Sequence, residues 1–133
     1  MELVFVYGTL KQGFSNHVLL KHSKLVGQGA TQNRYAMYKS GIPFVSQKER
    51  VSTISGEVYE VNKNTLHNLD ILEGHPNWYR RIKTPIDIIN KTGDIKTINA
   101  WLYFNEEIPA KAELIKSGIY GQNRNSRFFS LLF

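Results

Sequence analysis

Cysteine is absent from this chain of 133 residues. Disulfides, thiolate nucleophiles and every zinc or iron–sulfur site built on cysteine are therefore excluded. Long apolar runs are lacking too. None approaches the roughly 18 residues that a membrane-spanning helix needs. The chain opens directly on a strand-like run, Leu3 to Tyr7, without a basic leader or small-residue cleavage site. A cytoplasmic protein with no membrane association is expected. A metal-ligand pattern is missing as well, since the four histidines, His17, His22, His67 and His75, neither fall at the spacing of two ligands on one helix nor join a carboxylate pattern. No metal and no cofactor is expected. Missing also are the Gly-Lys-Ser/Thr of a phosphate loop, a GxGxxG, and the G-x-S-x-G of a serine hydrolase; Ser40, in Lys39-Ser40-Gly41, lacks the elbow context.

Positive charge is in excess: 17 Lys and Arg against 11 Asp and Glu give +6. Such a balance raises an anionic partner as a question. The basic residues are scattered, however, through Lys11, Lys21, Lys24, Lys48, Arg50, Lys91, Lys96, Lys111 and Lys116, with no run of one sign. Scattered lysine reads as a solvated surface, and no nucleic-acid partner is expected.

The length suits one domain, 1–133, with a core of its own. Residues 3–7 are short, apolar and β-prone and read as a buried strand, broken by Gly8-Thr9. Ser15 or Asn16 can cap a short helix over 17–22. Residues 25–30 and 34–38 read as strands joined by a polar turn, and 40–43 as a loop punctuated by Gly41 and Pro43. Residues 56–61 alternate like a half-buried strand. Asn62 or Asn64 can cap a helix carrying Leu66, Leu69 and Leu72 at i, i+3 and i+6, with Ile71 beside them, ended by Gly74 and Pro76. Two long strands, 79–89 and 95–104, flank a Gly-containing hairpin loop, and Pro85 suggests a bulge or an edge. Residues 110–116 suit one or two helical turns, and 117–126 look irregular. About six strands and two main helices give an α+β domain around a strongly bent or closed sheet.

Two constellations could carry chemistry. Tyr7-Gly8-Thr9-Leu10 ends a buried strand in glycine, which allows a tight turn and leaves amide N–H groups available for a carboxylate or a developing oxyanion. Four such residues alone are more often an ordinary strand-to-loop turn. Glu73 stands in the last turn of the apolar-faced helix, against the negative end of the helix dipole. That setting pushes its pKa up, as general acid–base chemistry requires. Asp70, three residues earlier, lies near the same face and could pair with it, orient a loop amide, or simply carry surface charge. His75 could tune Glu73 or be a turn residue. In Tyr79-Arg80-Arg81, alternation sends Tyr79 and Arg81 to one face, where they could meet a ligand or form an ordinary cross-strand aromatic with a solvated arginine.

Taken in order, YGTL, GEVYEV and LDILEGHPNWYRR resemble the gamma-glutamylcyclotransferase-like superfamily, and most closely its gamma-glutamylamine cyclotransferase and AIG2-like branch. The likeness runs from about Val4 to about Phe104. It implies a small mixed α+β domain, a β-barrel-like sheet flanked by helices with one substrate cavity. It also implies that Tyr7, Gly8, Thr9 and Leu10 hold the glutamyl head of a small γ-glutamyl substrate through backbone groups. By the same resemblance Glu73 is the catalytic acid/base, Tyr79 lines the cavity, Arg81 supports that wall, and Tyr120 is a candidate cavity residue in a tail that relatives use to shape specificity.

The implied reaction suits these residue types independently. The substrate's own α-amine attacks its γ-carbonyl, forms 5-oxoproline and expels an amine or amino acid. Intramolecular attack needs no protein nucleophile. Two alternatives remain at the level of sequence: a ligand-binding module of the same fold without catalysis, and a cyclotransferase for a γ-glutamyl-acyl biosynthetic intermediate. The sequence names neither the leaving group nor an oligomeric state.

Overall fold

The computed structural model describes residues 1–121. Its first strand, β1 (Glu2–Val6), is buried on both faces. Phe5 points into one core and Val4 and Val6 into another, which explains an unbroken apolar run where a half-buried strand would alternate. After the loop that follows β1, a short 3-10 helix (His17–Leu20) anchors itself through Leu20. Asn16 precedes it without capping it by its side chain; that amide is spent on Thr9 instead.

Strands β2 (Lys24–Thr31), β5 (Ser55–Val61), β6 (Arg80–Ile89) and β7 (Ile95–Phe104) join β1 in a closed barrel of order β1-β5-β2-β6-β7. Parallel pairing of β1 with β7 at Val4 and Trp101 closes it. Phe5, Val58, Ile86 and Leu102 fill the core with Met37, Val45 and Ile54. The α+β class with a closed barrel-like sheet follows the expectation from sequence.

A second, three-stranded sheet has the order β4-β3-β8, from β3 (Ala36–Ser40), β4 (Ile42–Ser46) and β8 (Glu113–Leu114). Here several local readings are corrected. Residues 40–43 are the turn and first half of a β3–β4 hairpin, not a loop. Residues 25–30 and 36–40 belong to different sheets, and 110–116 hold a turn and a two-residue strand rather than helix. Strand β5 is buried almost throughout because the barrel covers one face and α1 side chains the other. Eight strands, one α-helix and one 3-10 helix thus replace six strands and two main helices among the described residues. Pro85 makes no bulge: β6 and β7 stay in register from Arg80 opposite Phe104 to Ile89 opposite Ile95. It sits where the pairing of β6 with β2, at Ile86 to Ile88, has ended, so its missing N–H is harmless there. The irregular stretch read over 117–126 lies partly outside the described residues.

The one α-helix, α1 (Lys63–Glu73), begins at Asn62, whose side chain accepts from the Thr65 amide at 2.8 Å. Leu66 and Leu69 bury themselves on the outer face of the barrel beside Val4, Val6 and Val61. Leu72 and Ile71 remain 37% and 66% exposed, since the helix end overhangs the barrel. Gly74 stops the helix in the left-handed conformation (φ +65°), and its amide turns back to the carbonyls of Asp70 and Ile71.

Candidate active site

A cavity of about 190 Å³ opens where the loop after β1, the start of β4 and the end of α1 converge. Tyr7, Gly8, Thr9, Leu10, Glu73 and Tyr79 all line it. The fold therefore gathers the two constellations singled out in the sequence at one place.

The loop is built for its amides. Its carbonyls are all engaged: Gly8 O by the Lys11 amide at 3.0 Å, Thr9 O by the Asn16 amide at 2.9 Å, and Leu10 O by His17 Nδ1 at 3.0 Å. The N–H groups of Gly8, Thr9 and Leu10, by contrast, meet no acceptor among the described residues, although Gly8 and Leu10 are buried. Buried backbone donors are almost always satisfied, so the Gly8 and Leu10 amides, with the half-buried Thr9 amide between them at a cavity wall, suit a ligand with negative oxygens. Glycine at position 8 is a steric necessity. A Cβ there would stand 2.5 Å from Pro43 Cγ.

Glu73 faces this loop from the last turn of α1. It is half-buried, and burial pushes its carboxyl up to about 7. Desolvation alone accounts for the rise, with no contribution from His75. That histidine is a turn residue whose Nδ1 accepts from the Arg81 amide at 3.2 Å.

Asp70 is set the other way. It takes Nε and a terminal nitrogen of Arg81 at 2.8 and 3.1 Å, and the Tyr103 hydroxyl at 2.7 Å. Burial works against its charge, but these donors prevail and hold it below the usual carboxylate range. Asp70 is thus a fixed anion in an ion pair, not the second member of a proton-sharing carboxylate pair. Arg81 does not line the cavity. Besides Asp70 its guanidinium covers the Trp101 ring at 4.3 Å.

Tyr79 is buried and donates to the Pro43 carbonyl at 2.6 Å, its ring stacked on Phe44. Tyr7 donates to the Tyr103 carbonyl at 2.6 Å. Burial raises both phenols, which remain protonated donors across the neutral range. Tyr120 lines a different hollow, with Phe14 and Lys39.

Residues to which the sequence reading gave no role in the site also line the wall: Asn16, Ile42, Pro43, Trp78 and Tyr103. Tyr103 ties both halves together, its hydroxyl on Asp70 and its carbonyl on Tyr7. Strand alternation places Trp101 and Tyr103 on one face, but only the pairing of Arg81 opposite Tyr103 brings that face to the helix.

Among known proteins, the family profile described as "Gamma-glutamyl cyclotransferase, AIG2-like" matches residues 4–122. A Methanocaldococcus jannaschii protein named as a candidate gamma-glutamylcyclotransferase is 50% identical over 125 residues, 93% of this chain and 99% of its own length. The gamma-glutamylaminecyclotransferase of Mus musculus is 34% identical over 103 residues, covering 71% of this chain and 69% of the mouse protein. The crystal structure of an AIG2-like protein from Mus musculus superposes with a TM-score of 0.74 at 28% identity, over 88% of this chain and 87% of that one.

Proposed function

The chain belongs to the gamma-glutamyl cyclotransferase, AIG2-like family, and from that premise we propose that it cleaves γ-glutamyl amides by cyclisation, with Glu73 as the acid/base. It is a gamma-glutamylcyclotransferase-like enzyme; the proposal concerns the products and the roles of the residues. One observation carries the reading. A carboxyl raised to about 7 shares a small cavity with three unsatisfied backbone donors.

In the proposed reaction the Gly8, Thr9 and Leu10 amides receive the anionic oxygens of the glutamyl head: the α-carboxylate on binding, the γ-oxyanion as it develops. Ionised Glu73 takes one proton from the α-ammonium. The freed amine attacks the γ-carbonyl carbon, forming the ring C–N bond. Glu73 returns that proton to the amide nitrogen as the old C–N bond breaks. Glu73 then takes a second proton from the ring nitrogen and passes it to the departing amine, which regenerates the ionised carboxylate. The products are 5-oxoproline and an ammonium ion of the leaving amine or amino acid. No water and no protein nucleophile is consumed, in keeping with a chain that lacks cysteine.

A carboxyl near 7 is a stronger base toward an ammonium than an ordinary glutamate and still a competent acid at neutral pH. The test is 5-oxoproline release from a panel of γ-glutamyl compounds by wild type and Glu73→Gln. Release by wild type only supports the assignment. Equal release by both removes Glu73 from the mechanism, and none by either overturns the cyclotransferase reading.

A further inference from the structure

Two buried charged residues that do not line the candidate cavity remain unexplained by that chemistry, Lys11 and Glu57, each only 7% exposed. Lysine and glutamate are rarely this buried unless their charge has a structural task. Both reach the loop that carries the free amides. Lys11 follows Leu10 directly, and its amide closes the turn on Gly8 O. Its ammonium donates to the Tyr120 carbonyl at 2.8 Å and lies 5.1 Å from the centre of the Phe14 ring. Phe14 and Tyr120 pack ring to ring at 5.6 Å. Glu57, on β5 of the barrel, accepts the Gln12 amide at 2.9 Å and the Tyr59 hydroxyl at 3.0 Å through one oxygen. The loop is thereby held at consecutive residues, 11 and 12, to the barrel on one side and to the segment near Tyr120 on the other.

We infer that Lys11 and Glu57 are positioning residues, which hold the Gly8–Leu10 amides in the geometry that receives the anionic head of the substrate. The inference rests on the cyclotransferase reading for the identity of that ligand, but the brace itself does not. A three-donor site works only if its N–H groups share one orientation, and a misplacement on the order of 1 Å in such a site costs about 100-fold. A surface turn after a strand would supply no such rigidity. A backbone carbonyl gripped by an ammonium and an amide gripped by a carboxylate are charge-assisted contacts, roughly twice as strong as neutral ones. This also gives Tyr120 a role other than lining the cavity: it presents its carbonyl to Lys11.

Nitrogen-15 relaxation of the Gly8, Thr9 and Leu10 amides, read beside steady-state kinetics with a γ-glutamyl amide, tests the inference. In Lys11→Met and Glu57→Ala the order parameters of these three amides should fall from the rigid range toward about 0.6. KM should rise about tenfold, while kcat falls less. Glu57→Gln keeps a neutral acceptor for Gln12 and should loosen the amides and raise KM less than Glu57→Ala does. Glu73→Gln should show the opposite split, with kcat lost and KM kept. Unchanged order parameters in folded Lys11→Met and Glu57→Ala would overturn the brace, and loosened amides with unchanged KM would overturn its role in binding. Amides that are rigid in a wild type releasing no 5-oxoproline, yet loosened in Lys11→Met and Glu57→Ala, would refute the reaction and leave the brace standing.

Discussion

Asp70 and Glu73 stand one turn apart on α1, yet their surroundings drive their acidities in opposite directions. Arg81 and Tyr103 hold Asp70 ionised, while burial raises Glu73 to about 7. A separation of this kind between neighbouring carboxyls assigns one a fixed charge and the other a movable proton. It also explains why Arg81 stays out of the cavity: a guanidinium beside Glu73 would pull its pKa down and weaken it as a base.

Replacing Glu73 by Gln should keep the fold and the binding of 5-oxoproline while lowering kcat on the order of 10²–10⁴-fold, the range for loss of a general acid/base. Rates of 5-oxoproline release and calorimetric binding of the product measure the two separately.

The pH dependence has a definite sign. The reaction begins with ionised Glu73, so kcat/KM should fall as pH drops through about 7. Stability should move the other way. Folded Glu73 holds its proton more tightly than the unfolded chain, whose glutamate titrates near 4.5. Its protonation therefore favours the native state at low pH, and that advantage is lost as pH rises from about 4.5 to about 7. Glu73→Gln should then be more stable than wild type at pH 8, by roughly 1–3 kcal/mol, with the gain shrinking toward pH 5. Thermal melts at the two pH values decide it.

Asp70→Ala leaves a guanidinium and a phenol without their acceptor, and should cost about 2–3 kcal/mol. Because the folded Asp70 carboxyl lies below its ordinary value of 3.8, its contribution is present above that pH and lost as pH falls through the folded value. The difference between wild type and Asp70→Ala in urea unfolding should accordingly narrow under strongly acidic conditions.

Gly8→Ala places a methyl 2.5 Å from Pro43 Cγ, at the point where loop and β4 touch. Overpacking of this kind costs about 1–3 kcal/mol. Separation of the two walls should appear as a higher KM with melting lowered by several degrees.

Tyr79→Phe removes the donor from the buried Pro43 carbonyl and keeps the ring on Phe44. A loss of about 1–3 kcal/mol in chemical denaturation is expected.

Much of this was legible in the chain because it is local chemistry. Apolar run, glycine turn and helix stop are written in neighbouring residues: β1, Gly8-Thr9, Asn62 as a cap and Gly74 as a stop. The position of Glu73 at the end of an apolar-faced helix already implied a raised pKa, and the family motifs fell in order along the sequence. Other features escaped for an equally physical reason. Gly41-Ile42-Pro43 has the composition of a loop, yet its place in a second sheet comes from pairing with β3. Arg81 has the look of a ligand residue, and only the approach of α1 to β6 gives it to Asp70. Tyr103 has no signature at all; it matters because Tyr7, 96 residues earlier, reaches its carbonyl. The sequence by itself determined which groups could turn, cap, bury and titrate, since those propensities depend on a few adjacent residues. Tertiary structure alone decided which of them meet, because barrel closure brings together strands and loops that no local pattern relates.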